Sequence, residues 1–175
     1  YLTTCGAKHL LLTGRSGVST DDQREVLRVL EDAGVKVDVV AADISNTDDV
    51  SRVLDKAPNL RGIVHAAGIL DDGMLMQQSD ERFRKVAGPK VDGAWQLHSQ
   101  TLDLPLDFFV RFSSVASVMG SPGQSNYASA NAFMDGLAHY RKRLGLTATA
   151  INWGPWADVG MAASDVVLQR LMKDG

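Results

Sequence analysis

Residues 8–41, KHLLLTGRSGVSTDDQREVLRVLEDAGVKVDVVA, decide the fold class of this chain. An apolar run of strand length, residues 8–13, is followed by a glycine turn and by residues 21–33, in which apolar side chains recur at helical spacing. A second strand-like run, residues 35–41, comes directly after Gly34, a residue type well suited to end a helix. The order strand, helix, strand predicts a βαβ unit with parallel strands.

The same alternation continues along the rest of the chain. The further strand-like runs are residues 60–65, 107–113 and 147–153, and the further helical segments are residues 47–57, 80–101 and 125–144. The strand-like runs do not alternate cleanly between apolar and polar residues, as expected when both faces of a parallel sheet are buried. Because no repeat, linker or low-complexity tract interrupts the 175 residues, we predict one α/β domain with a doubly wound parallel sheet over residues 1–175.

The composition argues against several classes of protein. The 18 basic and 21 acidic residues are mixed along the chain, which leaves no basic surface for nucleic acid or an anionic membrane. The single cysteine cannot form an intramolecular disulfide, and the 4 histidines are scattered, so no metal site is predicted. No apolar run approaches the ~20 residues of a membrane span, and the first residues lack the pattern of a signal peptide. We therefore expect a soluble, cytoplasmic protein.

The turn after the first strand-like run departs from the usual dinucleotide-binding pattern. Such sheets normally open with G-x-G-x-x-G, and none of the 16 glycines forms that motif. The turn reads GRSG instead, and its Arg15 and Ser16 are side-chain types that could hold the 2′-phosphate of NADPH. Taken alone, a glycine-rich βα turn without a ligand explains these residues equally well.

Two further strand ends carry candidate cofactor contacts. An aspartate follows residues 35–41, where it or its neighbours could meet an adenine edge, although a turn aspartate is the simpler interpretation. HAAG at residues 65–68 ends the next strand, at the edge where parallel sheets bind ligands, and its small residues would admit a flat cofactor. The histidine alone is more simply explained as a packed residue. The candidates in these segments are Asp43, Ile44, His65, Ala66, Ala67 and Gly68.

Residues 112–135, FSSVASVMGSPGQSNYASANAFMD, carry the strongest chemical signal. Ser114 ends a buried strand, and Tyr127 and Asn131 follow on a helix, four residues apart and so on one face. A serine hydroxyl and a phenol can there converge on one substrate oxygen. Each residue taken alone is more simply a turn cap or a helix surface residue. Their joint occurrence with HAAG and with GPKVDG at residues 88–93 favours a catalytic site.

These motifs resemble the catalytic part of a ketoreductase domain from a modular polyketide synthase, a branch of the short-chain dehydrogenase/reductase family. The resemblance runs essentially end to end through GRSG, AD, HAAGILDDG, PKVDGAWQLH, the segment above and INWGPWADVGM. It implies a Rossmann-like sheet and a catalytic tetrad of Lys90, Ser114, Tyr127 and Asn131. Most of the wider family has the lysine after the tyrosine, in Y-x-x-x-K. Here Asn131 occupies that position and the lysine comes earlier, as in polyketide and animal fatty acid synthase ketoreductases.

The resemblance implies NADPH-dependent reduction of a β-ketoacyl thioester during polyketide chain elongation. The implied partners are an acyl carrier protein, which bears the chain on its phosphopantetheine, and neighbouring synthase domains, including a structural ketoreductase half. Tyr127 is the implied general acid, and a nearby Lys90 ammonium is expected to lower its pKa. Ser114 is expected to donate a second hydrogen bond to the substrate oxygen, and Asn131 to position Lys90 or a proton-relay water.

Several residues bear on the substrate and on stereochemistry. The segment LDD resembles the signature of B-type ketoreductases, and Met119 stands where A-type domains carry tryptophan, so a D-configured hydroxyl is expected; a plain acidic loop is the simpler interpretation. Ser129 stands where B-type domains that epimerise or select an α-substituent carry proline, which predicts reduction without epimerisation. The resemblance also implies that Pro155 and Trp156 border the nicotinamide. The candidates for substrate contact and stereocontrol are Leu70, Asp71, Asp72, Met119 and Met161.

The chain departs from the family pattern at both ends, so we expect a truncated domain. The family's first strand and glycine-rich loop have no counterpart, nor have its last strand and most of its lid. Loss of a central strand is expected to leave strand edges unpaired and to remove most pyrophosphate contacts. Two alternatives stay open: a catalytically inert structural fragment of a synthase, against which the intact tetrad argues, and a stand-alone soluble reductase, against which Asn131 argues.

Overall fold

The computed structural model describes residues 1–156, in which parallel strands alternate with helices. The strands are β1 (His9–Gly14), β2 (Lys36–Ala41), β3 (Gly62–His65), β4 (Phe108–Ser114) and β5 (Thr149–Trp153). The α-helices are α1 (Asp21–Asp32), α2 (Thr47–Asp55), α3 (Asp80–Ala87), α4 (Gly93–Ser99), α5 (Ala116–Met119) and α6 (Ser125–Arg143). Within this range, every helix is too short or too polar to cross a membrane.

The strands form two parallel sheets. β1 pairs with β2, and β3, β4 and β5 pair in that order. The prediction of an α/β fold with parallel strands is confirmed. Among the described residues no strand joins β1 to β3 and one edge of each stays unpaired, as expected for a sheet that lacks its central strand.

Helix α1 begins and ends where the sequence predicts. The N-cap Thr20 accepts a hydrogen bond from the Gln23 N–H at 3.2 Å, and the Gln23 side chain accepts one from the Thr20 N–H at 3.2 Å. Gly34 ends the helix with φ +77°, a conformation that favours glycine. The apolar stripe of α1 is open, however, with Val26 58% and Val29 59% exposed. We attribute this to the narrow sheet beneath it, which has two strands.

The helical segment predicted at residues 80–101 is interrupted. Helix α3 ends at Ala87, α4 begins at Gly93, and Gly88–Asp92 form a π turn between them. A π turn inserts one residue into a helical turn and is frequent at functional sites. Lys90 lies at its centre.

Helix α2 packs against both sheets. Its Val50 belongs to an apolar cluster with Ile44, Ile63, Leu97 and Phe109, which includes residues of β3, β4 and α4. Its Val53 belongs to a second cluster with Val40 and Ala42, at the β2 side. The two buried valines of α2 therefore tie the two sheets together.

Candidate active site

The residues of the sequence-predicted tetrad lie on three elements around the carboxyl end of β4. Ser114 is the last residue of β4, Tyr127 and Asn131 lie one turn apart on α6, and Lys90 lies in the π turn between α3 and α4. Tyr127 is 9% exposed, Lys90 2% and Asn131 fully buried. A phenol, an ammonium and an amide are thus brought into the interior at the end of the strand that carries the serine.

Lys90 is held by the backbone of β4. Its Nζ donates a hydrogen bond to the Phe112 carbonyl at 2.9 Å and lies 5.3 Å from the centroid of the Tyr127 ring. Burial lowers the pKa of Lys90 to about 8, against a smaller rise caused by the charge of Asp135. The sequence led us to expect Asn131 in the positioning role. Its amide instead donates to the Tyr127 carbonyl at 2.7 Å.

Tyr127 is expected to be a neutral phenol near pH 7, and its pKa is raised. The sequence predicted a lowered pKa, and that prediction is wrong for the ligand-free chain. Burial is the largest cause of the rise; hydrogen bonding by Asn131 and Ser114 lowers the pKa in part, and the charge of Asp72 raises it further. A neutral phenol is the form that can donate a proton.

Ser114 and Ser113 fix the strand end in different ways. The Ser114 Oγ accepts a hydrogen bond from the Ala116 N–H at 3.2 Å, which caps the turn into α5. The Ser113 Oγ donates to the Asn131 carbonyl at 3.2 Å and so joins β4 to α6. The Asn131 Oδ1 is buried and has no hydrogen-bond partner among the described residues. It is a candidate acceptor for a hydrogen bond from a water molecule or a ligand.

Gly68 allows Lys90 to approach the site closely. A Cβ atom at position 68 would lie 3.0 Å from the Lys90 Cε, closer than ordinary van der Waals contact. The sequence analysis assigned this glycine to the cofactor and missed its packing against Lys90. It also missed the Phe112 carbonyl, since a backbone acceptor leaves no signal in a sequence.

Arg15 and Ser16 follow β1 at its carboxyl end and are exposed. The pKa of Asp43, which follows β2, is lowered chiefly by hydrogen bonds from Ser45 and further by the charge of Arg15, so the two strand ends face each other. An exposed guanidinium beside a hydroxyl is a donor set that fits a phosphate group.

The side chains of the other cofactor candidates mostly serve the local fold. The Asp43 Oδ1 accepts from the Ser45 N–H at 3.0 Å and from its Oγ at 2.7 Å, as expected of a turn aspartate. Ile44 is in the core cluster of α2, and Ala67 packs against that cluster. Ala66 remains exposed.

His65 is a packed, neutral histidine. Its side chain is 3% exposed, and burial, with a further contribution from the charge of Lys90, lowers its pKa to about 4. It therefore lies inside the fold. Its Nε2 is buried without a hydrogen-bond partner among the described residues.

The segment after β5 packs against the strand that holds Lys90. The Trp156 ring lies 5.1 Å from Trp153 and 6.2 Å from Phe112, measured between centroids. Pro155 is exposed beside this aromatic cluster. The Phe112 residue thus contacts Lys90 through its backbone and the aromatic segment through its ring.

The LDD segment lies beside the catalytic tyrosine candidate. Leu70 packs against the buried cluster that contains Tyr127. The Asp71 carboxylate forms ion pairs with Arg82 and Lys85 of α3, each at 3.0 Å, and these interactions lower its pKa. The LDD segment is thereby held between α3 and the tetrad.

Three hydrogen bonds join the same segment to the loop before α6. They run from the Asn126 Nδ2 to the Asp71 carbonyl at 2.8 Å, from the Gly73 N–H to the Gly123 carbonyl at 2.8 Å, and from the Gln124 Nε2 to the Asp72 carboxylate at 3.0 Å. The sequence analysis missed Asn126, which stands directly before Tyr127 and is buried. The other stereocontrol candidates differ: Met119 is 80% exposed at the end of α5, and Met161 lies outside the described residues.

Known proteins that resemble the chain are ketoreductase domains and the synthases that contain them. The family model of the KR (ketoreductase) domain matches residues 1–158. A phenolphthiocerol synthesis polyketide synthase type I of Mycobacterium marinum is 42% identical over 181 residues, which cover 99% of this chain and 9% of that protein. The polyketide synthase GfsB of Streptomyces halstedii is 45% identical over 174 residues, which cover 96% of this chain and 3% of that protein.

A solved structure agrees with the observed fold. A structure of A-type ketoreductases from a modular polyketide synthase superposes with a TM-score of 0.95 at 39% identity. The match covers 99% of this chain and 38% of the solved chain. The chain therefore spans well under half of the solved ketoreductase and a small fraction of the curated synthases.

Proposed function

Since the chain belongs to the ketoreductase (KR) domain family, we propose that its tetrad reduces the β-keto group of a β-ketoacyl thioester, with NADPH as the reductant. The observation that carries this proposal is the arrangement at the end of β4: a buried neutral tyrosine with a buried lysine 5.3 Å from its ring, a serine at the strand end and an asparagine one turn along α6. Reduction of a ketone needs a proton at the oxygen, and this arrangement supplies a donor for it.

The reduced nicotinamide supplies the hydride to the carbonyl carbon when it is bound. Tyr127 donates its phenolic proton to the substrate oxygen as negative charge develops there. Ser114 donates a second hydrogen bond to the same oxygen, since its Oγ is fixed at the end of β4 by the Ala116 N–H. Lys90 stabilises the phenolate that the proton transfer leaves, because an ammonium acts strongly in a buried setting.

The proposed cofactor contacts follow the strand ends. Arg15 and Ser16 hold the 2′-phosphate and so favour NADPH over NADH. The residues after β2 face the adenine, and the small residues after β3 face the flat part of the cofactor. The other proposed contacts are Asp43, Ile44, His65, Ala66, Ala67, Gly68, Pro155 and Trp156.

We further propose that the substrate is carried by an acyl carrier protein and that residues 1–175 form part of one catalytic domain beside other synthase domains, including a structural ketoreductase half. Support comes from the curated relatives, which are polyketide synthases of which the chain spans 9% and 3%. The proposed cofactor contacts follow β1, β2 and β3, and the unpaired edges of β1 and β3 place these strands in two separate sheets. We therefore expect full activity to need a segment that joins these two strands.

The proposed stereochemical outcome is B-type, with a D-configured hydroxyl and no epimerisation. It rests on Leu70, Asp71 and Asp72, which are fixed next to the tyrosine, and on a methionine at position 119. The ketoreductases of the solved structure are A-type. The proposal therefore predicts that this chain and those proteins give hydroxyl groups of opposite configuration.

The test is reductant consumption with a β-ketoacyl thioester, followed by chiral analysis of the alcohol. The chain is assayed alone and as a chimera in which the strand and glycine-rich loop of a solved ketoreductase precede residue 1. Activity with NADPH, and a D-configured product, are expected at least in the chimera, and Arg15→Ala should weaken the preference for NADPH by about 10–100-fold. If both proteins are folded and neither oxidises NADPH or NADH, the proposal fails, and the alternative of a catalytically inert structural fragment is favoured.

A further inference from the structure

Asp135 lies on the same face of α6 as the tetrad residues. It follows Asn131 by four residues and Tyr127 by eight, so the three side chains form one stripe along the helix. Sequence reasoning gave Asp135 no role. The spacing of four residues between Tyr127, Asn131 and Asp135 is nevertheless visible in the sequence, and it places the three side chains on one face of α6.

The carboxylate of Asp135 is the acceptor of a network at the end of β4. Its Oδ2 accepts from the Ser117 Oγ at 2.6 Å and from the Asn152 Nδ2 at 2.9 Å. The Ser117 Oγ also lies 2.8 Å from the Ser114 carbonyl, and the Asn152 Nδ2 lies 3.3 Å from it. Both donors that reach the carboxylate therefore also reach the backbone of the serine in the tetrad.

The charge of Asp135 also acts on the buried cations of this region. Desolvation is the main cause that lowers the pKa of Lys90, and the charge of Asp135 raises it. Arg111 of β4 is fully buried, and none of its side-chain nitrogens has a hydrogen-bond partner among the described residues. Burial and then the charge of Arg141 lower the pKa of Arg111 to about 10, while Asp135 raises it.

Two titratable neighbours of Lys90 are neutral near pH 7. His65 of β3 is neutral near pH 7, because its pKa is about 4. Tyr127 of α6 is neutral as well, since burial raises its pKa. The Asp135 Oδ1 is buried and has no hydrogen-bond partner among the described residues, so no donor there compensates the carboxylate on that side.

We propose that Asp135 is a positioning residue of the tetrad, which fixes the end of β4 for Ser114 and supplies the negative charge that buried Lys90 faces. The role of Asp135 in catalysis rests on the proposed reductase function. The electrostatic influence of Asp135 on Lys90 does not rest on that function, because it needs no substrate or cofactor. The two parts can therefore fail separately.

The first test is a pH titration of the ligand-free chain by NMR, with ¹³C-labelled lysine and with Lys90 assigned by its loss in Lys90→Arg. Asp135→Asn keeps the shape and an acceptor oxygen but removes the charge, so the pKa of Lys90 should fall below that of the unchanged chain. Asp92→Asn is the matched control, since Asp92 is two residues from Lys90 but exposed, and it should leave the pKa unchanged. Equal Lys90 pKa values in all three proteins would overturn the proposal.

A second measurement needs no variant at Asp135. In the unchanged chain the carboxyl ¹³C resonance of Asp135 should show an inflection at the pH where Lys90 titrates, and this inflection should vanish in Lys90→Met. A carboxyl resonance that is insensitive to that titration contradicts the proposal even if Asp135→Asn fails to fold.

The catalytic part is tested by the pH dependence of turnover in the chimera described above. Asp135→Asn should lower kcat about tenfold, with little change in KM, and should move the alkaline limb of the kcat profile to lower pH, because Lys90 loses its proton earlier. Ser117→Ala removes one hydrogen bond and keeps the charge, so its alkaline limb should stay in place. If the alkaline limb of the kcat profile does not move in Asp135→Asn, the catalytic role is wrong. If the Lys90 pKa shifts in the NMR titration but no protein turns over substrate, only the reductase function is wrong.

Discussion

Lys90 illustrates at the residue scale how the proposed function and stability oppose each other. Its pKa of about 8 lies below the ordinary 10.5, so between these values the unfolded chain binds more protons than the folded chain. The free energy of unfolding therefore rises with pH across that range. Below it, the buried ammonium destabilises the fold.

Replacement of this lysine should separate the two properties. We predict that Lys90→Met raises the free energy of unfolding near pH 7 by about 1–3 kcal/mol, that the gain shrinks towards pH ~10, and that reduction is abolished. Urea unfolding near pH 7 and at pH ~10 measures the change in unfolding free energy, and a turnover assay measures the loss of reduction. A loss of stability near pH 7 would show that the ammonium is well compensated where it lies.

Gly68→Ala tests whether the position of Lys90 matters independently of its charge. The new Cβ would lie 3.0 Å from the Lys90 Cε, and the flexible lysine end can shift away, so folding should survive while the bond to the Phe112 carbonyl weakens. We expect kcat to fall about tenfold. Gly136→Ala in α6 is the control: apart from the adjacent backbone of α6, no described atom lies within 4 Å of its added Cβ, and it should slightly stabilise the helix without affecting kcat. Equal turnover in both variants would rule out the packing role.

At the scale of elements, the sequence predicted which segments form strands and helices, but it did not predict where a helix is interrupted. Capping residues and Gly34 placed the ends of α1 correctly, because they act locally. The π turn at Gly88–Asp92 was missed, since the apolar pattern runs through it and one extra residue leaves no mark on the composition. That turn decides where Lys90 points.

The LDD segment and the loop before α6 form an element whose rigidity can be tested. Asn126 is 1% exposed and its Nδ2 donates to the Asp71 carbonyl at 2.8 Å. Asn126→Ala should therefore cost about 1–3 kcal/mol of unfolding free energy and speed hydrogen exchange at the Gly73 amide. Gln124→Ala, which removes a less buried bond to Asp72, should cost less. If the Gly73 amide exchanges at the same rate in all three proteins, the two loops are not coupled.

At the scale of the whole molecule, the tetrad was predictable and its electrostatics were not. Motif spacing brought Tyr127, Asn131 and Ser114 together, whereas the raised pKa of Tyr127 depends on burial that only the assembled fold reveals. The unpaired strand edges, by contrast, were expected, because the family's first strand has no counterpart in the sequence. Backbone acceptors such as the Phe112 carbonyl carry no residue-type signal at all.

Global stability should fall in acid because of His65. Its pKa of about 4 lies below the ordinary 6.5, so the unfolded chain binds the extra proton as the pH drops between these values and the folded state loses stability. His65→Gln should remove about 2 kcal/mol of this loss between pH ~7 and pH ~4.5. The exposed His139 provides the control His139→Gln, which should leave the pH dependence of urea unfolding unchanged. Identical pH profiles for the two variants would contradict the assignment.

The measurement that tests the central claim most directly is transfer of deuterium from 4-deuterated NADPH to a β-ketoacyl thioester, in the chimera and in its Tyr127→Phe variant. The account predicts deuterium at the hydroxyl-bearing carbon of the product, formed about 10²–10⁴-fold more slowly in Tyr127→Phe while NADPH binding is retained. Equal rates in the two proteins, or no deuterium in the product of a folded protein that binds NADPH, would contradict it.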